Sequence, residues 1–203
     1  MSKDNKAASK AAPWDKGYCA LDPLYAPEQT ALMARLRNDV SERLWGKRLK
    51  HSFGVAATAL WLAQRFGVDE FEAEAAGLLH DWDKKLSPEE LWGKVDEYGI
   101  DVPRVDGALP VLHGLTAAAS LPRDYPELGA EVFQAIARHT TGAPGMTDLD
   151  MVVYVADMIE PGREGGFVDD IRKLACTAPL RQVYAECVRV GLIYLLKSGR
   201  QFC

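Results

Sequence analysis

Cysteine is scarce in this sequence, and its spacing excludes the usual structural uses of the residue. The 203-residue chain has four cysteines, Cys19, Cys176, Cys187 and Cys203, with no Cys-x-x-Cys pair among them. A disulfide-rich secreted domain or a thiolate zinc site needs more cysteines, or closer ones. We therefore expect these four residues to be core or incidental positions in a protein of the reducing cytoplasm.

Long hydrophobic runs and an excess of basic charge are also lacking. No apolar run approaches the roughly 18 residues of a membrane-spanning helix, and the segment "MSKDNKAASKAAPWDKG" has no apolar core of a secretory signal. The net charge of −5 is unsuited to neutralising nucleic-acid phosphates. We expect neither a membrane nor DNA or RNA as a partner.

The composition predicts one compact domain with an appendage. With 48% hydrophobic and 26% charged residues, the chain is long enough to form a real core. The Lys-, Ala- and Ser-rich segment over residues 1–27 predicts a mobile N-terminal tail. Residues 28–200 are expected to form the folded domain.

Helical signals dominate this domain, which predicts an all-α fold. One stripe with helical spacing ends at Gly67, and Ser87 with Glu90 forms a capping box before a helix that Gly99 ends. Thr147 or Asp148 caps the segment "LDMVVYVADMIE", where "MVVYVA" alone could compete as a strand. Further helices are expected over about 69–81, 111–120 (broken by the prolines at 122 and 126), 127–139, 168–175 and 179–197.

All four histidines fall in or at the end of apolar helical segments. They are His51, His80, His113 and His139, and two aspartates share such settings, Asp81 beside His80 and Asp157 within "VVYVADMI". Any one of the six could be a satisfied core residue, an ion-pair partner or a helix end. Together they predict an open catalytic metal site for iron, manganese or zinc, because the donors are nitrogen and oxygen without thiolate. An all-helical scaffold with four core histidines remains the alternative.

The order of these residues resembles the HD-domain metal-dependent phosphohydrolase superfamily. A lone histidine is followed by His-Asp, then by further histidines and a final aspartate. Longer strings are similar to the YqeK family between about Leu44 and Arg200, namely "RLKHSFGVA", "AGLLHDWDKKL", "LHG", "ARHTTGAPGM", "YVADMIEPGR", "IRKLA" and "YLLKSGR". That family is associated with symmetrical hydrolysis of diadenosine tetraphosphate to two molecules of ADP.

The resemblance implies a role for each matching residue. It makes His51, His80, Asp81 and Asp157 ligands of a first metal, with Asp81 bridging to a second that His113 and His139 hold. Lys84 would bind or neutralise a phosphate, and the implied substrate contacts are Lys84, Thr140, Thr141, Gly142 and Arg163. The sequence departs from the family at Asp83, usually a small residue, and at Ala143, often an arginine. We expect Asp83 to be a solvated carboxylate at a helix end.

We therefore expect a metal-dependent hydrolase in which a metal-bridging hydroxide attacks a central phosphorus atom of diadenosine tetraphosphate and expels ADP. Asp81 and Lys84 are the expected catalytic residues. Two ions are expected, with iron first and manganese or zinc as alternatives. Two other functions stay open: an HD phosphohydrolase acting on another nucleotide, and a non-catalytic nucleotide-binding sensor. The apolar C-terminal segment "VYAECVRVGLIYLL" could serve a homodimer.

Overall fold

The computed structural model describes residues 11–15 and 23–198, and these residues form nine α-helices and no strand. The helices are α1 (Pro27–Arg43), α2 (Lys47–Phe66), α3 (Glu70–Leu79), α4 (Pro88–Glu97), α5 (Leu109–Asp124), α6 (Ala130–Arg138), α7 (Asp148–Ile159), α8 (Gly166–Thr177) and α9 (Leu180–Ser198), with a 3-10 turn over Asp106–Ala108. The all-α prediction is confirmed. Cys19 and Cys203 lie outside the described residues.

The centre of the bundle is formed by α2, α3 and α7, whose inward faces are almost wholly buried. Small residues let α2 and α3 approach closely. A Cβ added at Gly77 would lie 3.0 Å from the Cα of Ala56 and 3.1 Å from the carbonyl oxygen of Val55. This close approach brings the end of α3, where His80 follows, against the helix that carries His51.

The segment that could have competed as a strand is helical. Thr147 caps α7 by accepting a hydrogen bond from the Asp150 amide, and the Asp150 carboxylate accepts one from the Thr147 amide. The β-branched residues of "MVVYVA" favour a strand, but their side chains can pack into the core from a helix as well as from a strand. The capping box therefore decides in favour of the helix. The helix ends at Ile159, just before Glu160 and Pro161.

Helices α4 and α5 share a small core that is separate from the main one. Its buried members are Leu91 and Val95 of α4, Leu112 of α5, and Ala108. The predicted capping box holds the start of α4, because the Ser87 hydroxyl accepts from the Glu90 amide at 3.2 Å and Glu90 accepts from the Ser87 amide at 2.7 Å. This pair of helices therefore forms a flank of the molecule with its own packing.

Several predicted helix boundaries were wrong. Helix α6 begins at Ala130 and not at about residue 127. Helix α5 continues through Pro122 to Asp124. Pro122 lies in the last turn, where its missing N–H removes one helical hydrogen bond and the chain tolerates the loss. Helix α3 ends at Leu79, and the following residues form tight turns, with the Trp82 amide donating to the Leu79 carbonyl at 2.9 Å.

The chain before α2 also packs on the bundle. Helix α1, which the sequence pattern did not assign, buries Leu36 and Val40. In the short described segment 11–15, Ala12 is buried and the Trp14 ring stands edge-on to Trp61, with centroids 5.1 Å apart. The division of the chain at residue 27 stays a prediction. Among the described residues, no helix has the length and apolar character needed to cross a membrane.

Candidate metal centre

The four histidines converge from four separate helices. His51 lies in α2 and His113 in α5, while His80 and His139 directly follow α3 and α6. The Nε2 atoms of His51 and His80 are 3.2 Å apart, and those of His113 and His139 are 3.1 Å apart. The bundle therefore brings two histidine pairs to one place.

Two carboxylates complete the cluster. Asp81 lies between the pairs, with Oδ1 3.1 Å from the His113 Nε2 and Oδ2 3.4 Å from the His80 Nε2. Asp157 enters from α7, and its Oδ1 is 3.1 Å from the His51 Nε2. The two oxygens of Asp81 thus face different histidines, as a bridging ligand would require.

These six side chains form three overlapping groups that could each hold a metal ion. Within each group the ligand atoms lie within 4.8 Å of one another. The groups are His51 with His80 and Asp81, His80 with His139 and Asp157, and Asp81 with His113 and His139. Because the groups share members, the residues predicted from sequence to bind metal make up one cluster.

The outward-facing nitrogen of three histidines is held by an acceptor. The Nδ1 atom of His80 lies 2.7 Å from the Gly77 carbonyl oxygen, that of His139 lies 2.6 Å from the Ile136 carbonyl, and that of His51 lies 3.1 Å from Glu160. For His80 and His139, the carbonyl acceptor at Nδ1 places the proton there and leaves the Nε2 lone pair facing the cluster.

This arrangement fits a bound cation. Two unprotonated Nε2 atoms cannot donate to each other, so their close approach is unfavourable unless a proton or metal lies between them. In metalloproteins, a carbonyl or carboxylate that accepts a hydrogen bond from the other ring nitrogen orients a histidine ligand in the same way. Glu160, which the sequence analysis did not single out, belongs to this outer layer.

The electrostatics of the cluster favour ionised carboxylates. Burial opposes ionisation of Asp81 and Asp157, but neighbouring imidazoles outweigh it and hold the pKa of each carboxyl well below its usual range. Burial lowers the pKa of His139 to about 3, with His80 and His113 adding to the effect. For His51, burial is opposed by hydrogen bonds to Asp157 and Glu160, which raise its pKa to about 9.

Three cationic side chains surround the cluster. The Lys84 ammonium lies 3.3 Å from both ring nitrogens of His113, and burial lowers the pKa of Lys84. Arg163 donates to the Asp157 carboxylate at 2.5 Å, and Arg48 donates to Asp81 at 2.5 Å. Arg48 was not predicted from the sequence, although its position one helical turn before His51 places it on the same face of α2.

The predicted substrate contacts in "HTTG" divide into two kinds. The Thr140 hydroxyl lies 2.9 Å from the His139 Nε2, so Thr140 reaches the cluster. Thr141 donates to the Gly142 carbonyl, and the positive φ of 66° at Gly142 places that turn near the Tyr184 hydroxyl. The structure gives these last two no contact with the six cluster residues. Ala143 packs against the main core.

Asp83 is not the solvated carboxylate that we expected. Its side chain is fully buried, where Arg43 donates to one oxygen at 2.8 Å and Lys94 to the other at 2.6 Å. The expectation failed because both cations come from other helices, α1 and α4. Through these two ion pairs, Asp83 fixes the turn that carries Asp81 and Lys84 against α1 and α4.

The cluster lies between two openings of different character. On the His51 side is a cleft of about 740 Å³ whose lining includes the cations Lys47, Arg48, Lys50 and Arg163. On the His113 side is a pocket of about 270 Å³ whose walls are mainly apolar and which Lys84 also lines. The lining of the cleft also includes Glu160 and Glu164, but cations outnumber carboxylates there, so this basic cleft suits a polyphosphate.

A helical bundle that gathers histidines and aspartates around a His-Asp pair defines the class of HD-type metal-dependent hydrolases. The chain belongs to the HD domain family, whose pattern matches residues 48–162.

Known relatives agree with this assignment. The chain is 35% identical over 161 residues to the symmetrical bis(5'-nucleosyl)-tetraphosphatase of Bacillus subtilis, covering 79% of this chain and 86% of that protein. It is 38% identical over 134 residues to the enzyme of the same name from Staphylococcus aureus, covering 66% and 69%. A solved structure described as a predicted HD superfamily hydrolase involved in NAD metabolism, from Clostridium acetobutylicum, superposes with a TM-score of 0.76 at 30% identity, covering 84% of this chain and 90% of that one.

Proposed function

We propose that this protein hydrolyses diadenosine tetraphosphate symmetrically to two molecules of ADP. The observation that carries the proposal is the six-residue cluster of His and Asp side chains beside a basic cleft. The Bacillus subtilis relative that bears the name of this activity matches 79% of the chain, and the Staphylococcus aureus relative of the same name matches 66%. Water adds across the bond that joins the second and third phosphates, so its oxygen ends on one ADP and the bridging oxygen leaves on the other.

The ligand set supports two ions, with iron as our proposal and manganese or zinc as alternatives. His51, His80, Asp81 and Asp157 would hold one ion, and Asp81, His113 and His139 the other. When bound, such ions would activate a water molecule and polarise phosphoryl oxygens. A site of imidazole and carboxylate donors accepts several of these metals, so metal analysis of protein purified without a tag or chelator decides among them.

The surrounding cations would neutralise and position the phosphates. Lys84 is partly buried beside His113, where a cation is screened less by water than at the surface. Arg48 and Arg163 both line the basic cleft and already reach cluster carboxylates, so an anionic substrate at the cluster lies within their range. Charge that develops on the oxygens during transfer would be stabilised by these fixed donors.

Residues 28–200 are proposed as the catalytic domain of a cytoplasmic protein. A homodimer is compatible with the end of α9, where Leu192 and Leu196 are 46% and 69% exposed. Gel filtration with light scattering would give the oligomeric state.

Product analysis tests the activity. Protein loaded anaerobically with iron or manganese is given diadenosine tri-, tetra- and pentaphosphate and a set of mononucleotides in water enriched in ¹⁸O. We expect ADP as the sole product from the tetraphosphate, with label in half of the ADP molecules. AMP plus ATP would contradict symmetrical cleavage, and phosphate release from mononucleotides alone would favour the other nucleotide hydrolase. Tight nucleotide binding without turnover would favour the sensor.

Variants then test the assigned residues. Asp81→Ala should lower the rate at least about 100-fold with loss of bound metal, because it removes a carboxylate that would hold both ions. Lys84→Ala should lower kcat about 100-fold with metal content unchanged. The matched control is Lys85→Ala, whose exposed ammonium lies 4.4 Å from the Trp45 ring centroid and which should stay within about twofold of wild type. Equal effects of the two lysine variants would contradict a role for Lys84.

A further inference from the structure

The apolar pocket beside the cluster is built from the starts of two helices. Leu86, Pro88 and Leu91 line it from the α4 side, and Leu109 and Pro110 line it from the α5 side. Pro88 is the first residue of α4 and Pro110 the second of α5, so both rings are rigidly held at the rim. The walls are therefore fixed apolar surfaces that remain open to solvent.

The chemistry of the lining favours a flat apolar group over a phosphate. Lys84 and His113 are the only ionisable residues among the seven that line the pocket. Lys84 is partly buried and His113 is buried, and the Lys84 ammonium contacts the His113 ring. Ligand sites that are mostly apolar with a few polar groups at one end hold the apolar part of a ligand and orient its polar part.

The size of the pocket limits what it can hold. Sites for drug-sized molecules are usually about 300–1,000 Å³, and this pocket is about 270 Å³. It can accept one nucleobase, but a whole dinucleotide would not fit. The cleft of about 740 Å³ that His51 lines is left for the rest of such a molecule.

The position of the pocket relates it directly to the reacting centre. His113 lines the pocket and also places its Nε2 3.1 Å from the Asp81 Oδ1. A nucleoside bound there would direct its 5' phosphates past Lys84 onto the cluster. The contact between base and pocket would then set which phosphorus atom lies over the metal ligands.

We propose that the pocket between α4 and α5 is a purine subsite that holds one adenine of the dinucleotide and sets the position of cleavage. This inference rests on the proposed function. The base contributes binding energy through apolar contact with the leucines and prolines of the pocket. The phosphates bind independently of the base, through the cationic side chains that surround the cluster.

The test separates base binding from phosphate binding. Leu109→Trp fills the pocket from a partly exposed position, where a larger side chain is tolerated. Calorimetry on the metal-loaded protein is used to measure the affinity for ADP and for pyrophosphate. We expect Leu109→Trp to weaken ADP binding at least about tenfold, because the apolar contacts of the base are lost. Pyrophosphate affinity should stay within about twofold of wild type.

The matched control is Leu115→Trp. Leu115 lies in the same helix and packs against the same small core, but it does not line the pocket. This variant should bind ADP as wild type does. Unchanged ADP affinity in Leu109→Trp, or an equal loss for ADP and pyrophosphate, overturns the proposal, as does a wild-type protein that binds pyrophosphate as tightly as ADP.

A second measurement does not depend on how the variant folds. Photolabelling of the wild-type protein with 8-azido-ADP should mark peptides from residues 86–91 or 109–113. Label confined to other peptides overturns the assignment. Because neither experiment needs turnover, a chain that fails to cleave diadenosine tetraphosphate refutes the proposed function separately from this subsite.

Discussion

At the scale of single residues, the buried charges fall into two sets with different partners. The histidines and aspartates of the cluster face one another, which fits a site that binds cations. Asp83 instead has two cationic partners, Arg43 and Lys94, and Lys94 also donates to the Ser120 hydroxyl at 2.7 Å. A buried carboxylate satisfied in this way is structural, although it lies only two residues from Asp81.

Removing the Asp83 carboxylate should destabilise the protein strongly. Asp83→Ala leaves Arg43 and Lys94 without their shared partner, and breaking a buried ion pair from one side costs about 3–5 kcal/mol. Since the two cations are partly exposed, we expect about 3 kcal/mol or somewhat less. Urea unfolding followed by circular dichroism measures the change.

The comparison variant for Asp83 is Asp96→Ala. Asp96 pairs with Arg104 at the surface, where both side chains are more than half exposed. Exposed pairs contribute about 0–1 kcal/mol. Equal losses of stability in the two variants would show that the Asp83 network is not structural.

At the scale of elements, two helices end in the same way at the cluster of histidines and aspartates. Helices α3 and α6 are each followed by a histidine in helical conformation, His80 and His139. Each ring lies within hydrogen-bonding distance of the carbonyl three residues earlier, Gly77 and Ile136. The last carbonyls of a helix lack helical partners, so one contact both finishes the helix and aims the other ring nitrogen at the cluster.

The separate packing of α4 and α5 predicts that α4 opens independently of the central bundle. Ser87→Ala removes the side-chain cap of α4, which costs about 1 kcal/mol. Native-state hydrogen exchange should then be about fivefold faster for amides of α4, while amides of α2 and α7 keep their rates. Thr147→Ala is the matched control, because it removes the corresponding cap from α7 in the main core. Uniform acceleration of all helices by Ser87→Ala would contradict a separate unit.

At the scale of the whole molecule, two tyrosines connect distant parts of the chain. Tyr25, just before α1, donates to Glu74 of α3 at 2.6 Å, and Tyr125, just after α5, donates to Asp39 of α1 at 2.7 Å. Burial and the neighbouring carboxylate raise the pKa of each phenol well above its ordinary value of 10.0. These links hold α1 against the bundle.

The raised tyrosine pKa values predict loss of stability in alkali. Each phenol binds its proton more tightly in the folded protein than in the unfolded chain. Its contribution to the free energy of unfolding is therefore complete below about pH 10 and is lost as pH rises above that value. The urea midpoint should therefore fall steadily above pH 10. The variant Tyr25→Phe/Tyr125→Phe should show a shallower fall between pH 10 and 11.5. If the urea midpoint falls equally steeply with pH in this variant and in wild type, the two tyrosines are not the cause of the loss of stability.

Much of the fold could be predicted from local sequence. The capping box at Ser87, the cap at Thr147 and the helical stripe around His51 each act within a few residues, and all three helices form. Boundaries set by packing were harder to predict, as the continuation of α5 through Pro122 illustrates. The candidate metal ligands could be proposed from the order of histidines and aspartates, because each lies in an apolar segment that must be buried.

The sequence by itself determined that the chain is helical and which side chains could bind a metal, since periodicity and caps depend on neighbours along the chain. Only the tertiary structure decided how those side chains are held. Arg43 and Asp83 are 40 residues apart, and His51 and Glu160 are 109 apart. Arg48 meets Asp81 only because α2 packs on α3. Such partners are fixed by the close approach of helices, which no local pattern encodes.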